Sequence, residues 1–184
     1  MNVINLFLNK LDHLKFKLVA MAYIDPVNRT IDIGCGNHPQ QFIKARWAVG
    51  VDPVRPRDLL SGGLTGYIQG DWQYAIDFMR EPRLKYDTAV LMGIVEHLPK
   101  EESVRLLRET EKVVAHQIVV FTPLGFMEQD AGEHDYNTHR SGWYPQDFGN
   151  GWRVFVFHHF HWCDFNGVVY DEPKGAILAI YTKE

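Results

Sequence analysis

The 184-residue sequence has little cysteine: only Cys35 and Cys163, far apart and without a CxxC spacing. That excludes a disulfide framework and a thiolate zinc site, and it points to a reducing, cytoplasmic setting. An excess of positive charge is also missing. Nineteen Lys and Arg stand against 23 Asp and Glu, a net charge of −4 with His neutral, which is not the footprint of a protein that grips a nucleic-acid backbone. No apolar run reaches membrane length. Asn9, Lys10, Asp12, His13, Lys15 and Lys17 interrupt the first apolar stretch, and no basic segment precedes it as in a signal peptide. Neither nucleic acid nor membrane is expected as a partner. The sequence has no internal repeat, low-complexity tract or interdomain linker, and its length and 46% hydrophobic content suit a single domain spanning 1–184.

The residues that are present alternate in type along the chain. Ile4, Phe7, Leu8, Leu11, Leu14, Leu18 and Met21 recur at helical spacing, so residues 4–22 are expected to form a helix that packs on a sheet. Short strands are expected at Thr30–Ile33, Ala48–Val51, Tyr67–Gln69, Thr88–Met92 and Ile118–Phe121. Helices are expected at Pro39–Ala45, Gln73–Arg80 and Glu101–Ala115, the last with Val104, Leu107, Val113 and Val114 facing the core. Its charged residues, from Glu101 to Lys112, read as a solvated face. Residues 122–147 form a long loop rich in Gly, His, Asp and aromatics. Two further strands follow, Arg153–Trp162 and Ala176–Thr182. This order predicts an α/β Rossmann-like three-layer sandwich, a mostly parallel sheet with an antiparallel C-terminal strand pair at its edge.

Chemistry concentrates in the loop after the first strand, Asp32-Ile33-Gly34-Cys35-Gly36-Asn37-His38-Pro39. Glycines there let the chain turn tightly and bring backbone close to a ligand. Asp52 closes the second strand, where a carboxylate accepts hydrogen bonds from ribose hydroxyls. Gly34, Gly36 and Asp52 together predict an adenosine-containing cofactor. A dinucleotide fingerprint needs a third glycine at the sixth position, which is Pro39 here, and this counts against a nicotinamide cofactor.

Over residues 28–160 the motifs resemble those of the class I S-adenosylmethionine-dependent methyltransferases. Asp32-Ile33-Gly34-Cys35-Gly36 is similar to their first motif, Val51-Asp52 to the acidic end of the second strand, and Gly70-Asp71-Trp72 to the turn after the third. Val95-Glu96-His97-Leu98 is similar to the end of the fourth-strand region, and the segment from His139 through Ser141, Gly142 and Trp143 to Phe148 resembles one that some members carry. The resemblance implies S-adenosylmethionine as cofactor. Asp32, Gly34, Cys35 and Gly36 would lie at its methionine end, and Asp52 and Pro53 at the ribose. Asp71 and Trp72 would lie at the adenine, with Met92 and Gly93 lining the site. Glu96 and His97 would face a small-molecule methyl acceptor.

Methyl transfer from a sulfonium needs in-line positioning and, for an oxygen or nitrogen acceptor, a base. His97 is the first candidate for that base, and His139 and His134 follow; each also has a structural reading, as a helix-start or loop histidine. Phe126, Tyr136, Trp143 and Tyr144 form either a lid over the acceptor or a cover for the sheet edge. His158, His159 and His161 do not share one strand face, so they read as structural and no metal is expected. Two other functions stay open. A non-catalytic S-adenosylmethionine-binding or interaction module is motivated by His38, where the family often has a third glycine. An NAD-dependent oxidoreductase shares the ribose carboxylate.

Overall fold

Buried apolar strands that run in the same direction must be joined by crossovers, and the chain supplies them. The computed structural model describes residues 3–36, 45–55, 63–129, 135–163 and 167–183. Strands β1 (Val27–Ile33), β2 (Ala45–Asp52), β3 (Gly66–Gln69), β4 (Thr88–Met92) and β5 (Gln117–Pro123) are parallel. Strands β6 (Trp152–Cys163) and β7 (Val169–Thr182) pair antiparallel, and β7 also pairs antiparallel with β5. The order across the seven-stranded sheet is β3-β2-β1-β4-β5-β7-β6. The predicted mixed α/β sandwich is therefore the observed one. The last strand lies inside the sheet, and β6 forms the edge.

Side chains alternate between the two faces of each strand. Ile118 and Val120 of β5, with Ile177 and Ala179 of β7, join the larger core cluster. Val119, Leu178 and Ile180 point the other way into a second cluster. Helices α2 (Trp72–Met79) and α3 (Lys100–Val113) cover the first face. On α3 the buried positions are Ser103, Leu106, Leu107 and Thr110, while Val104 and Val113 are only partly buried. Ala45, expected to close a helix, opens β2 instead. The remainder of that expected helix, together with His38, Pro39 and His134, lies outside the described residues.

Helix α1 (Val3–Tyr23) covers the second face, but not through the side expected from its apolar periodicity. Ile4, Phe7, Leu14, Leu18 and Met21 are exposed, Met21 by 81%. The buried side carries Asn9, Asp12 and Ala20, with Phe16 and Val19 packed into the second cluster. The reason lies in the edge strand. The β6–β7 register shifts between Phe157 and His161, and a bulge of this kind leaves backbone groups unpaired. Asn9 Nδ2 donates to the carbonyls of His159 and Phe160, both at 2.8 Å. Asp12 Oδ2 accepts from the His159 amide at 2.8 Å. Polar side chains thus satisfy the bulged edge, and α1 turns its polar residues inward to do so. Among the described residues, no helix is long and apolar enough to cross a membrane.

Removing one partner from a buried hydrogen bond costs about 1–3 kcal/mol. Asp12→Ala is therefore expected to lower unfolding stability by about that amount, with faster amide exchange at His159. Urea titration and hydrogen exchange check both; an unchanged midpoint would remove α1's polar side as the clamp on β6.

Candidate functional site

Ligands of parallel α/β sheets bind at the carboxyl ends of the strands, where the strand order reverses. Here β1 is flanked by β2 and β4, and the turn after β1 opens on that point. Gly34 and Gly36 both have positive φ, 72° and 55°, a region that favours glycine. The turn is anchored by Gly34 N donating to Val51 O at 2.7 Å. A Cβ on Gly34 would stand 2.8 Å from Ile94 Cδ1, so the close approach of the two loops also requires glycine there. No described atom lies within 4 Å of a Cβ built on Gly36.

Asp52 spans the tips of β1 and β2. Its Oδ2 accepts from Gly36 N at 2.9 Å and its Oδ1 from Val54 N at 2.8 Å. A carboxylate has about four lone-pair sites, so each oxygen keeps one for a ligand hydroxyl. Gln69 Nε2 donates to Pro53 O at 3.1 Å, and the Tyr67 hydroxyl donates to Asp52 O at 2.7 Å. These bonds hold the ends of β2 and β3 together. Asp32 is buried beneath the turn. Cys35 is buried too, its Sγ 2.7 Å from where a Gly50 Cβ would stand, and burial pushes its thiol pKa up. Cys35 contributes backbone to the cradle, not its sulfur.

Two expected adenine contacts sit differently. Asp71 caps α2, its Oδ1 accepting from Tyr74 N at 2.8 Å, which is the ordinary work of an N-cap carboxylate. Its side of the helix is exposed. Trp72 is not beside an open crevice. It is 5% exposed in the core, its Nε1 donates to Glu102 Oε1 at 2.8 Å, and Arg105 lies over its ring. A buried indole with a satisfied N–H belongs to the packing of α2 on α3, and this corrects the expectation that it flanks a ligand ring.

Beyond β4 the chain turns at Gly93, with φ 72°, into a single 3-10 turn, Val95–His97. The Val95 carbonyl accepts from Ser103 Oγ, Ser141 Oγ and Trp143 Nε1, at 2.7, 3.0 and 3.2 Å. The Glu96 carbonyl accepts from Arg140 N at 2.7 Å and Ser141 N at 3.1 Å. The turn thereby docks the 139–143 segment. Lys100 Nζ fastens its far side, donating to Gly142 O at 2.8 Å and Asp147 Oδ2 at 2.6 Å while lying 3.6 Å over the buried Trp143 ring.

This docking brings Glu96, His97 and His139 together, each offering a ligand atom within 4.8 Å of the others. The two imidazoles meet edge to face with centroids 4.7 Å apart. Glu96 Oε2 accepts from Thr122 Oγ1 at 3.1 Å, and burial raises its pKa to about 7. Burial, with His139 nearby, lowers the His97 pKa to about 4; burial lowers that of His139 as well. In both imidazoles burial favours the neutral form. Met92 ends β4 and packs against the second core cluster; Gly93 N donates to Phe121 O at 2.9 Å, and its Cβ position is 3.5 Å from Glu96 Oε1.

No protein-family pattern and no curated protein matches this sequence. Solved structures match in shape. A putative methyltransferase (BH2331) from Bacillus halodurans C-125 superposes with a TM-score of 0.63 at 16% identity, over 91% of this chain and 97% of the other. A SAM-dependent methyltransferase from Archaeoglobus fulgidus gives 0.55 at 18% identity, over 99% and 100%. Magnesium protoporphyrin IX methyltransferase (ChlM) from Synechocystis PCC 6803, with bound SAM, gives 0.54 at 15% identity, over 97% and 80%. The chain has the fold of the class I S-adenosylmethionine-dependent methyltransferases.

Within that methyltransferase fold, the expected residues fall into two groups. Gly34, Gly36, Asp52 and Pro53 lie together at the tips of β1 and β2, Met92 ends β4, and Gly93, His97 and His139 gather past it. The aromatic residues of the long loop divide as well: Trp143 is fully buried, whereas Phe126, Tyr136 and Tyr144 are exposed. His161 is packed against Phe121 and Phe160. The sequence reading missed Thr122, Ser103 and Lys100, which hold the second group in place together with Ser141. Position after a strand signalled Thr122; Ser103 and Lys100 carry no local signal, because their partners lie 8 and 42 residues away.

A Cβ on Gly142 would stand 2.7 Å from Phe126 N, a backbone atom that cannot yield without moving the loop. Gly142→Ala is expected to cost about 1–3 kcal/mol, the range for overpacking a tight site, and to speed amide exchange at Arg140 and Ser141. Thermal unfolding with exchange mass spectrometry checks it; wild-type protection at those amides would show the segment is not held by this contact.

Proposed function

We propose that this chain binds S-adenosylmethionine across the tips of β1 and β2 and transfers its methyl group to a small molecule held beside His97 and His139. The observation that carries the reading is the Asp52 carboxylate. It is fixed on both oxygens by Gly36 and Val54 amides, next to a turn of two glycines with positive φ. Such a group, with a lone pair left on each oxygen, suits the two ribose hydroxyls of an adenosyl cofactor. The fold supports the same reading, since ChlM of the same architecture was crystallised with bound SAM.

In this reading Gly34 and Gly36 take the methionine end of the cofactor, with Asp32 below the turn. Met92 and Gly93 then lie between cofactor and acceptor. The protein's contribution is to place the sulfonium and the acceptor in line and to exclude water, which supplies most of the acceleration for a reaction between two bound partners. His97 and His139 face the acceptor, and His97 takes the proton of an oxygen or nitrogen nucleophile. The chain is thereby a small-molecule methyltransferase working in the cytoplasm.

Calorimetry with S-adenosylmethionine and with its demethylated product tests the reading. Both are expected to bind at one site per chain. Asp52→Ala is expected to weaken binding on the order of a hundredfold, the loss of two hydrogen bonds to a charged acceptor. Thermal unfolding of the variant separates this from a loss of fold. The absence of heat with both ligands, or an Asp52→Ala variant that is folded and binds as wild type, would overturn the assignment.

A further inference from the structure

Three side chains with metal-ligating atoms converge past the end of β4. Two are consecutive in sequence, and the third is delivered by the docked 139–143 segment. We propose that Glu96, His97 and His139 form a binding site for one divalent first-row transition metal ion of the Zn2+ or Co2+ type. The inference rests on the geometry of these residues and not on methyl transfer.

The nearness of the ligand atoms, all within 4.8 Å of one another, is the first support. Metal–ligand bonds of about 2.0–2.2 Å in a tetrahedron put donor atoms about 3.3 Å apart. Binding draws the three inward by about 1–1.5 Å on that geometry, a movement within the reach of side-chain torsions.

The tautomers are the second support. His139 Nδ1 lies 2.6 Å from Met127 O, and His97 Nδ1 lies 3.3 Å from Thr138 O. A carbonyl oxygen only accepts, so each Nδ1 carries the proton and each Nε2 carries the lone pair. Imidazoles that ligate metals are held in this way, with the other ring nitrogen donating to a carbonyl or carboxylate. The carboxylate has a matching support in Thr122, whose hydroxyl donates to Glu96 Oε2 at 3.1 Å. All three ligand residues therefore have an outer partner that orients them.

Charge is the third. Glu96 is 5% exposed, and among the described residues no Lys or Arg forms an ion pair with it. A buried carboxylate without a countercharge is costly, and the group then neutralises or takes a cation. A divalent ion supplies the countercharge, and two imidazoles with one carboxylate suit Zn2+, Co2+ or Fe2+ over Mg2+ or Ca2+.

Three protein ligands leave at least one position open, as in catalytic zinc sites. The Glu96 carboxylate borders Gly93 on the β4 side. If the methyl-transfer reading also holds, the acceptor class that fits is one with an oxygen or nitrogen donor able to bind the ion, and His97, its lone pair on the ion, then acts as a ligand and no longer as the base. Of the other described histidines, none joins a group of three metal-ligating side chains; His159 is engaged at 3.7 Å by Asp12, and His158 is exposed at the edge strand.

The test uses the full chain stripped with EDTA and titrated with CoCl2, followed by visible d–d absorption, with ZnCl2 as the displacing ion. One Co2+ per chain is expected. His97→Ala and His139→Ala are expected to abolish the absorption. Glu96→Gln, which keeps the shape, is expected to weaken binding at least about tenfold, and Thr122→Val by about tenfold as an outer partner. His158→Ala/His159→Ala is expected to leave it unchanged. Circular dichroism verifies folding; if His139→Ala does not fold, the isosteric Glu96→Gln carries the test. No saturable uptake by the wild-type chain would overturn the proposal. So would uptake that survives both His97→Ala and Glu96→Gln, or uptake lost in His158→Ala/His159→Ala. Calorimetry with S-adenosylmethionine on the same stripped protein keeps the two readings apart: cofactor bound without metal sinks only the metal site, and metal bound without cofactor sinks only the methyltransferase reading.

Discussion

The carboxyl end of the sheet depends on two consecutive carbonyls, those of Val95 and Glu96. Five donors converge on them: two serine hydroxyls, an indole N–H and two backbone amides. Four of the five come from residues 140–143, more than forty positions downstream. A buried carbonyl left without a donor costs as much as a lost hydrogen bond, so the turn and the distant segment stabilise each other. The same turn places Ile94 against Gly34. The glycine turn after β1 and the histidine cluster past β4 are thus parts of one packed unit. A change at the turn must be felt on both sides.

Legibility from sequence follows the range of the interaction that decides each feature. Strand β4 was expected at Thr88–Met92 and is observed there, because a short apolar run between polar residues has one way to be buried in a parallel sheet. The glycine turn and Asp52 were legible for a similar reason: positive φ and a strand-end carboxylate are local properties. Strand β7 is twice as long as expected, running from Val169. Pro173 and Gly175 hid its first half, which Pro can join only where its missing N–H is not needed.

The failures are all tertiary. The α1 stripe of Ile4, Phe7, Leu14, Leu18 and Met21 has the right period and faces away from the sheet, because a bulge in β6 asks for Asn9 and Asp12 instead. Periodicity reports that a helix is two-sided; it does not report which side has the stronger partner. Trp72 sits where a ligand-flanking aromatic was expected, yet Glu102, 30 residues on, captures its N–H and holds it in the core. His97 and His139 were named separately as candidate bases. Their meeting with Glu96 depends on the docking of the 139–143 segment, which no local pattern encodes.

The insertion of β7 between β5 and β6 completes the surroundings of the site. Pairing of β5 with β7 ends at Pro123 and Ala176, but β7 begins at Val169 and pairs with β6 as far as Cys163. The two strands therefore run on past the end of β5 as a ribbon. A two-stranded ribbon is at best marginally stable alone, and this one is braced where it leaves the sheet. Phe16 of α1 meets Phe157 and Phe160, Phe160 meets Phe121, and Asn9 and Asp12 hold the bulged backbone. The inward turn of polar residues on α1 is thus tied to the histidine cluster at one remove. It stiffens a ribbon that rises beside the end of β5, next to Thr122 and the Glu96 carboxylate it supports, so that one flank of the histidine cluster is sheet and not loop.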